Sequence, residues 1–162
     1  MGWMLSLSRS TILLVEDDPD DILLMKRAFK RGCVTNPMIV IRDGQRAIRY
    51  LTGEGEFADR SKYPLPGLVL LDLRLPGSGP SGFDVLKRLR QIRELDATIV
   101  IVLTSSNREE DPDKAWKLGA HSFQLKPRAF EDLVHLVSRI REGWLGLAEN
   151  SNRRAVPAAG GR

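Results

Sequence analysis

The chain has 162 residues, 42% of them hydrophobic and 28% charged, which suits one globular domain with short tails. Arg9 at one end, and Arg153, Arg154 and Arg162 against Glu149 at the other, supply three of the four net positive charges, so the basic balance marks no nucleic-acid face. The lone Cys33 excludes a disulfide framework and a thiolate metal cluster, and no apolar run approaches the roughly 20 residues of a membrane span.

Residues 1–10 read as a tail. Met1-Gly2-Trp3-Met4-Leu5-Ser6 matches a myristoylation pattern short enough to arise by chance, and no secretory leader fits, so a cytoplasmic location is expected. Residues 11–15 are a buried strand by composition, ending in Glu16-Asp17-Asp18-Pro19-Asp20-Asp21. Asp18 before Pro19 is a helix N-cap, and the helix over 22–31 stops at Gly32. A second strand covers 38–42, and Asp43-Gly44 turns it into a short helix with Ala47, Ile48 and Leu51 on one face. Residues 53–66 form a polar loop. Residues 68–71 are aliphatic without alternation, as in a strand buried on both faces, and they stop at Asp72. An unpaired charge cannot enter the core, so Asp72 stands at the sheet rim.

After a loop over 77–82, a helix over 83–93 turns Phe83, Leu86, Leu89 and Ile92 inward. A fourth strand, 98–103, ends in Thr104-Ser105-Ser106. Asp111-Pro112 begins a helix that Gly119 stops, and a brief fifth strand, 122–125, ends in Lys126-Pro127. The last helix covers 130–145, and 146–162 read as a disordered tail. The domain is therefore expected over 11–145. Five β-then-α units predict a doubly wound α/β fold with a five-stranded parallel sheet, helices on both faces, and strand order 2-1-3-4-5. That order puts Glu16 and Asp17 beside Asp72, with Thr104 and then Lys126 on the next strands.

Three converging carboxylates repel one another, so a cation belongs between them. All-oxygen ligation completed by water is how Mg²⁺ binds. His121 and His135 lie elsewhere and read as ordinary strand-edge and helix-surface residues. A hydroxyl from Thr104 and an ammonium from Lys126 complete, with Mg²⁺, a cradle for a tetrahedral dianion. In phosphoryl transfer the protein supplies mainly position and charge neutralisation. A carboxylate within such a cradle can attack phosphorus and form an acyl phosphate. Asp72 is then the nucleophile, Glu16 and Asp17 hold the metal, and Thr104 and Lys126 hold phosphoryl oxygens. Singly, each residue has a bland reading as a cap or a turn. Their meeting at one edge decides for function.

Several motifs resemble the receiver domain of two-component response regulators. They are Ile12-Leu13-Leu14-Val15-Glu16-Asp17, Leu70-Leu71-Asp72-Leu73-Arg74-Leu75-Pro76, Val102-Leu103-Thr104-Ser105, Leu118-Gly119-Ala120 and Lys126-Pro127. The resemblance implies that Asp72 accepts a phosphoryl group from a histidine kinase. It also implies Asp17 as a direct Mg²⁺ ligand, Glu16 acting through water, and the Arg74 carbonyl as a further ligand. Thr104 and Ser105 belong to the phosphate-binding switch, Phe123 holds its aromatic position, and the Lys126–Pro127 bond is expected to be cis. Gly55-Glu56-Phe57-Ala58-Asp59, with Trp144, is similar to the single-domain regulators that pair with phytochromes. Two positions depart from the pattern. The loop from Pro76 to Gly82 is longer than usual, and Pro112 delays its helix to Asp111 or Pro112.

Three other readings compete. An aspartyl-nucleophile phosphatase would need an acid two residues after the nucleophile, where Arg74 stands. A flavin carrier on this fold would need a phosphate loop where the first strand ends in acids. A binding module that is never phosphorylated could use the same fold. The 17 residues after Leu145 suit no DNA-binding domain, so output by protein contact is expected, with no enzymatic activity beyond the chain's own phosphorylation and dephosphorylation. The last helix carries a wide apolar stripe with Leu136 and Leu145 at its margins and Trp144 near its end, which predicts a two-fold homodimer through that helix.

Overall fold

The computed structural model describes residues 10–105, 108 and 110–155, and the side chains among them as far as Trp144. Five strands, β1 (Ile12–Val15), β2 (Met38–Ile41), β3 (Leu68–Leu71), β4 (Ile99–Thr104) and β5 (Ser122–Leu125), form one parallel sheet. Its order is β2-β1-β3-β4-β5, as the alternation predicts. The helices are α1 (Pro19–Arg31), α2 (Gly44–Thr52), α3 (Gly82–Arg90), α4 (Asp111–Lys117) and α5 (Phe130–Ala155). Successive side chains of a strand point to opposite sheet faces, so the aliphatic runs feed two separate cores. Leu13, Val15, Val69, Leu71, Val100 and Val102 pack with residues of α2, α3 and α4. Ile12, Leu14, Leu68, Leu70, Ile99 and Ile101 pack with α1 and α5.

The local signals act as expected at α1. Asp18 accepts from the amides of Asp20 and Asp21 at 2.8 and 3.1 Å, which satisfies two of the otherwise unpaired first-turn donors. The polar loop after α2 is more ordered than its composition implies. Phe57 is buried and stacks edge-on with Tyr63 at 5.1 Å, and both rings lie against the buried Tyr50. Arg60 donates to the carbonyls of Tyr50 and Leu51 at 2.7 and 2.9 Å, closing the end of α2.

Three expectations are corrected. Leu136 and Trp144 do not present an open stripe. Both are buried in the core between α1, α5 and the sheet, Trp144 with 5% of its surface exposed. The stripe is wide because α5 packs on α1 as well as on the sheet, so the feature that motivated a dimer contact is internal. The Leu145 side chain lies outside the described residues. The last helix runs ten residues past its predicted end, to Ala155, since extending a formed helix costs far less than starting one and Pro157 is the first strong stop. No described peptide bond is cis, so Lys126–Pro127 is trans, the form an X–Pro bond favours by about 0.5–1 kcal/mol.

His121, read as an ordinary edge residue, ties β4 to β5. Its Nδ1 accepts from the Val100 amide at 3.1 Å and faces Arg90 Nη2 at 3.2 Å. A guanidinium only donates, so Nδ1 carries no proton. Burial, and then the Arg90 charge, hold the imidazole below its ordinary range. The unfolded chain therefore takes up a proton near the ordinary histidine value of about 6.5 that the native state resists, and stability falls as pH falls through it. Urea unfolding at about pH 8 and about pH 5.5 should show a larger loss for wild type than for His121→Gln. Equal losses would remove His121 from this role.

Candidate metal and phosphate site

Register places the site. Val15 pairs with Leu71 and Leu71 with Val102, so Glu16 and Asp72 leave the sheet at the same level and Thr104 lies one step beyond. The Asp72 amide donates to Val15 O at 3.0 Å and the Lys126 amide to Thr104 O at 2.9 Å, carrying the ladder up to the functional residues. One carboxylate oxygen from each of Glu16, Asp17 and Asp72 falls within 4.8 Å of the others. Asp72 is 5% exposed and Thr104 fully buried, so these polar groups must be partnered.

They are. Thr104 Oγ1 and the Arg74 amide both donate to Asp72 Oδ1, at 3.1 and 3.0 Å. Lys126 Nζ reaches Asp72 Oδ2 at 3.1 Å and Asp21 Oδ2 at 2.8 Å, and makes a short contact with Glu16 Oε2. Burial is the largest influence on Glu16 and lifts its carboxyl to about 7, against the pull of Lys126. Burial works against the Lys126 charge, but its bonds to Asp21 and Glu16 and the charge of Asp72 outweigh it, so the ammonium is held above its ordinary range.

Two glycines let the backbone close around the acid. A Cβ on Gly82 would sit 2.2 Å from Asp72 O, and one on Gly44 would sit 2.0 Å from Pro80 O. Only glycine lets α3 begin against Asp72 and lets the 76–82 loop lie on the start of α2.

Most expected site residues meet here. Ser105 is exposed beyond Thr104, and Phe123 is half-buried against the α2–α4 core. The Arg74 main chain is at the site, while its side chain turns away to Asp111 at 3.6 Å. Sequence reasoning missed three residues. Asp21 accepts from Lys126, Arg42 donates to Asp17 O at 2.9 Å, and Asp111 is buried at the start of α4. Asp21 carried a readable signal, since a helix starting at Pro19 sets its first turn beside the acids that follow β1.

A profile described as the response regulator receiver domain matches residues 12–138. The chain belongs to that family. This receiver is 42% identical over 147 residues to the probable methanogenesis regulatory protein FilR2 of Methanothrix harundinacea, covering 91% of this chain and 88% of FilR2. It is 35% identical over 134 residues to the response regulator Rcp1 of Synechocystis, covering 83% of this chain and 88% of Rcp1. The phosphorylated cyanobacterial phytochrome response regulator RcpA superposes with a TM-score of 0.76 at 34% identity, over 85% of this chain and 94% of RcpA. Rcp1 in a Mn²⁺-bound form superposes with a TM-score of 0.73 at 34% identity, over 84% of this chain and 94% of that one.

As a response regulator, the receiver takes a phosphoryl group from a histidine kinase in a two-component relay. Glu16, Asp17 and Asp72 form its metal site, an all-oxygen donor set that fits Mg²⁺. Without a divalent cation, Lys126 is the described cation that holds these acids together. Lys126→Ala should therefore cost about 2 kcal/mol in unfolding by denaturant, below the full penalty for breaking a buried pair because Glu16 can take a proton. Added Mg²⁺ should recover most of that loss and stabilise the variant more than wild type. A variant as stable as wild type in chelator would show that Lys126 does not balance the acids.

Proposed function

We propose that Asp72 is the phosphoryl acceptor, held for attack by Thr104, Lys126 and the Arg74 amide. The observation that carries this is the partnering of both Asp72 oxygens by donors that point to where phosphoryl charge would develop. An Asp72 oxygen attacks phosphorus of the kinase phosphohistidine, the P–N bond breaks, and the imidazole keeps the electron pair and takes a proton. Lys126 and Thr104 then each hold a phosphoryl oxygen. Asp17 and Glu16, with the Arg74 carbonyl, would hold Mg²⁺, which supplies charge neutralisation between carboxylate and phosphoryl oxygens. Water attack on the acyl phosphate returns Asp72 and inorganic phosphate, so the chain's own groups assist both phosphorylation and its reversal. With acetyl phosphate and Mg²⁺, wild type should gain one phosphoryl group by intact mass and Asp72→Asn none. Equal gain by the two would refute the assignment.

We further infer a cytoplasmic regulator that signals by protein contact and pairs with a phytochrome-type kinase. Among the described residues no helix is long and apolar enough to cross a membrane. The pairing is supported by the likeness to RcpA and by the loop that begins Gly55-Glu56-Phe57, which Phe57 and Arg60 pin to α2. Transfer from a purified phytochrome histidine kinase should outpace transfer from an unrelated one by about tenfold or more, a 1.4 kcal/mol preference. Equal rates would assign the receiver to another kinase class.

A further inference from the structure

We propose that Arg74 reports the state of Asp72 to α4, bridging Asp111 before phosphorylation and turning to the phosphoryl group after it; this rests on Asp72 being the acceptor. Arg74 touches both ends of that link. Its amide donates to Asp72 Oδ1 at 3.0 Å, and its guanidinium lies 3.6 Å from Asp111 Oδ2. The two partners differ in freedom. The Arg74 side chain is 45% exposed and can reorient, while that of Asp111 is 9% exposed and fixed in the first turn of α4. At 3.6 Å the pair is an ion pair without a tight hydrogen bond, so it is readily exchanged.

The phosphoryl group is the stronger competitor. It brings about −1.5 to −2 charges and three acceptor oxygens to a site two residues away, against one carboxylate charge on Asp111. Guanidinium suits it, because its planar fork matches phosphate oxygens in pairs. The receiving helix is lightly held. α4 has seven residues, Glu110 makes no side-chain cap bond, and Asp111 and Ala115 are its only buried residues among those described. Lys114 over the Phe83 ring at 4.1 Å adds a contact to α3. Exchanging the Asp111 bridge therefore acts on a large part of what seats α4, and Trp116 on the same helix is half exposed, where a partner would sense the change.

Hydrogen–deuterium exchange of the full chain, before and after acetyl phosphate with Mg²⁺, tests this, with phosphoryl occupancy read by intact mass. On phosphorylation, wild-type amides over 111–118 should exchange about threefold faster or more. Unphosphorylated Asp111→Asn should already exchange at the raised rate there, with α1 and β1 unchanged, and should gain little more when phosphorylated. Arg74→Ala, at a half-exposed side chain, should match it, and it decides the outcome if Asp111→Asn loses protection throughout. A wild type that takes no phosphoryl group refutes the acceptor assignment itself. A phosphorylated wild type with unchanged α4, or variants whose α4 responds by the wild-type factor, would overturn the link.

Discussion

Crowded negative charge at the carboxyl ends of β1 and β3 is the constraint on which the structure depends. Glu16, Asp17 and Asp72 bring carboxylates within 4.8 Å, and Asp21 adds another beside them. Carboxylates this close and this buried are tolerable only with compensating positive charge. Lys126 provides it from β5, across two strands, by contacting Glu16, Asp21 and Asp72 at once. The arrangement is unstable to change by design of its chemistry, since any added cation or phosphoryl group must redistribute those contacts. The same balance that holds the fold together at this edge makes the edge responsive.

The strand ends were legible because burial writes itself into composition. Runs such as Leu68–Leu71 have no alternation, and their register then follows from the parallel order, so the sequence alone gathers Glu16, Asp72, Thr104 and Lys126. Contacts between elements were less legible. Whether Trp144 faces its own core or a second copy depends on how closely α1 and α5 pack, which no periodicity along α5 alone contains. Arg74 was legible through its main-chain carbonyl and Asp111 as a helix start, but the pairing of their side chains needed the distance between β3 and α4. The loop after α2 read as polar because its charged residues outnumber Phe57 and Tyr63, which nonetheless fix its position.

The 76–82 loop and the placement of Pro112 both bear on how the site is framed. The loop lies on the start of α2 by close backbone approach at Gly44, and α3 begins against Asp72 by close approach at Gly82. Pro112 sets α4 to begin at Asp111, which brings that carboxylate into the protein and within reach of Arg74. Pro112 thus bears on the surroundings of Asp72 through a neighbouring helix, apart from the strand-end residues themselves.

The sheet divides the interior into two packings that share strands but no helices. Ile12, Leu14, Leu68 and Leu70 answer to α1 and α5, while Leu13, Val15, Val69 and Leu71 answer to α2, α3 and α4. Substitutions on opposite sides are separated by the backbone of the sheet and should combine close to additively. Divergence of one helical layer is therefore insulated from the other: a lineage can remodel the surface of α1 and α5 for a new protein partner while the layer that carries α4 keeps its own packing. The acids at the strand ends stand on the seam between these two independently varying halves.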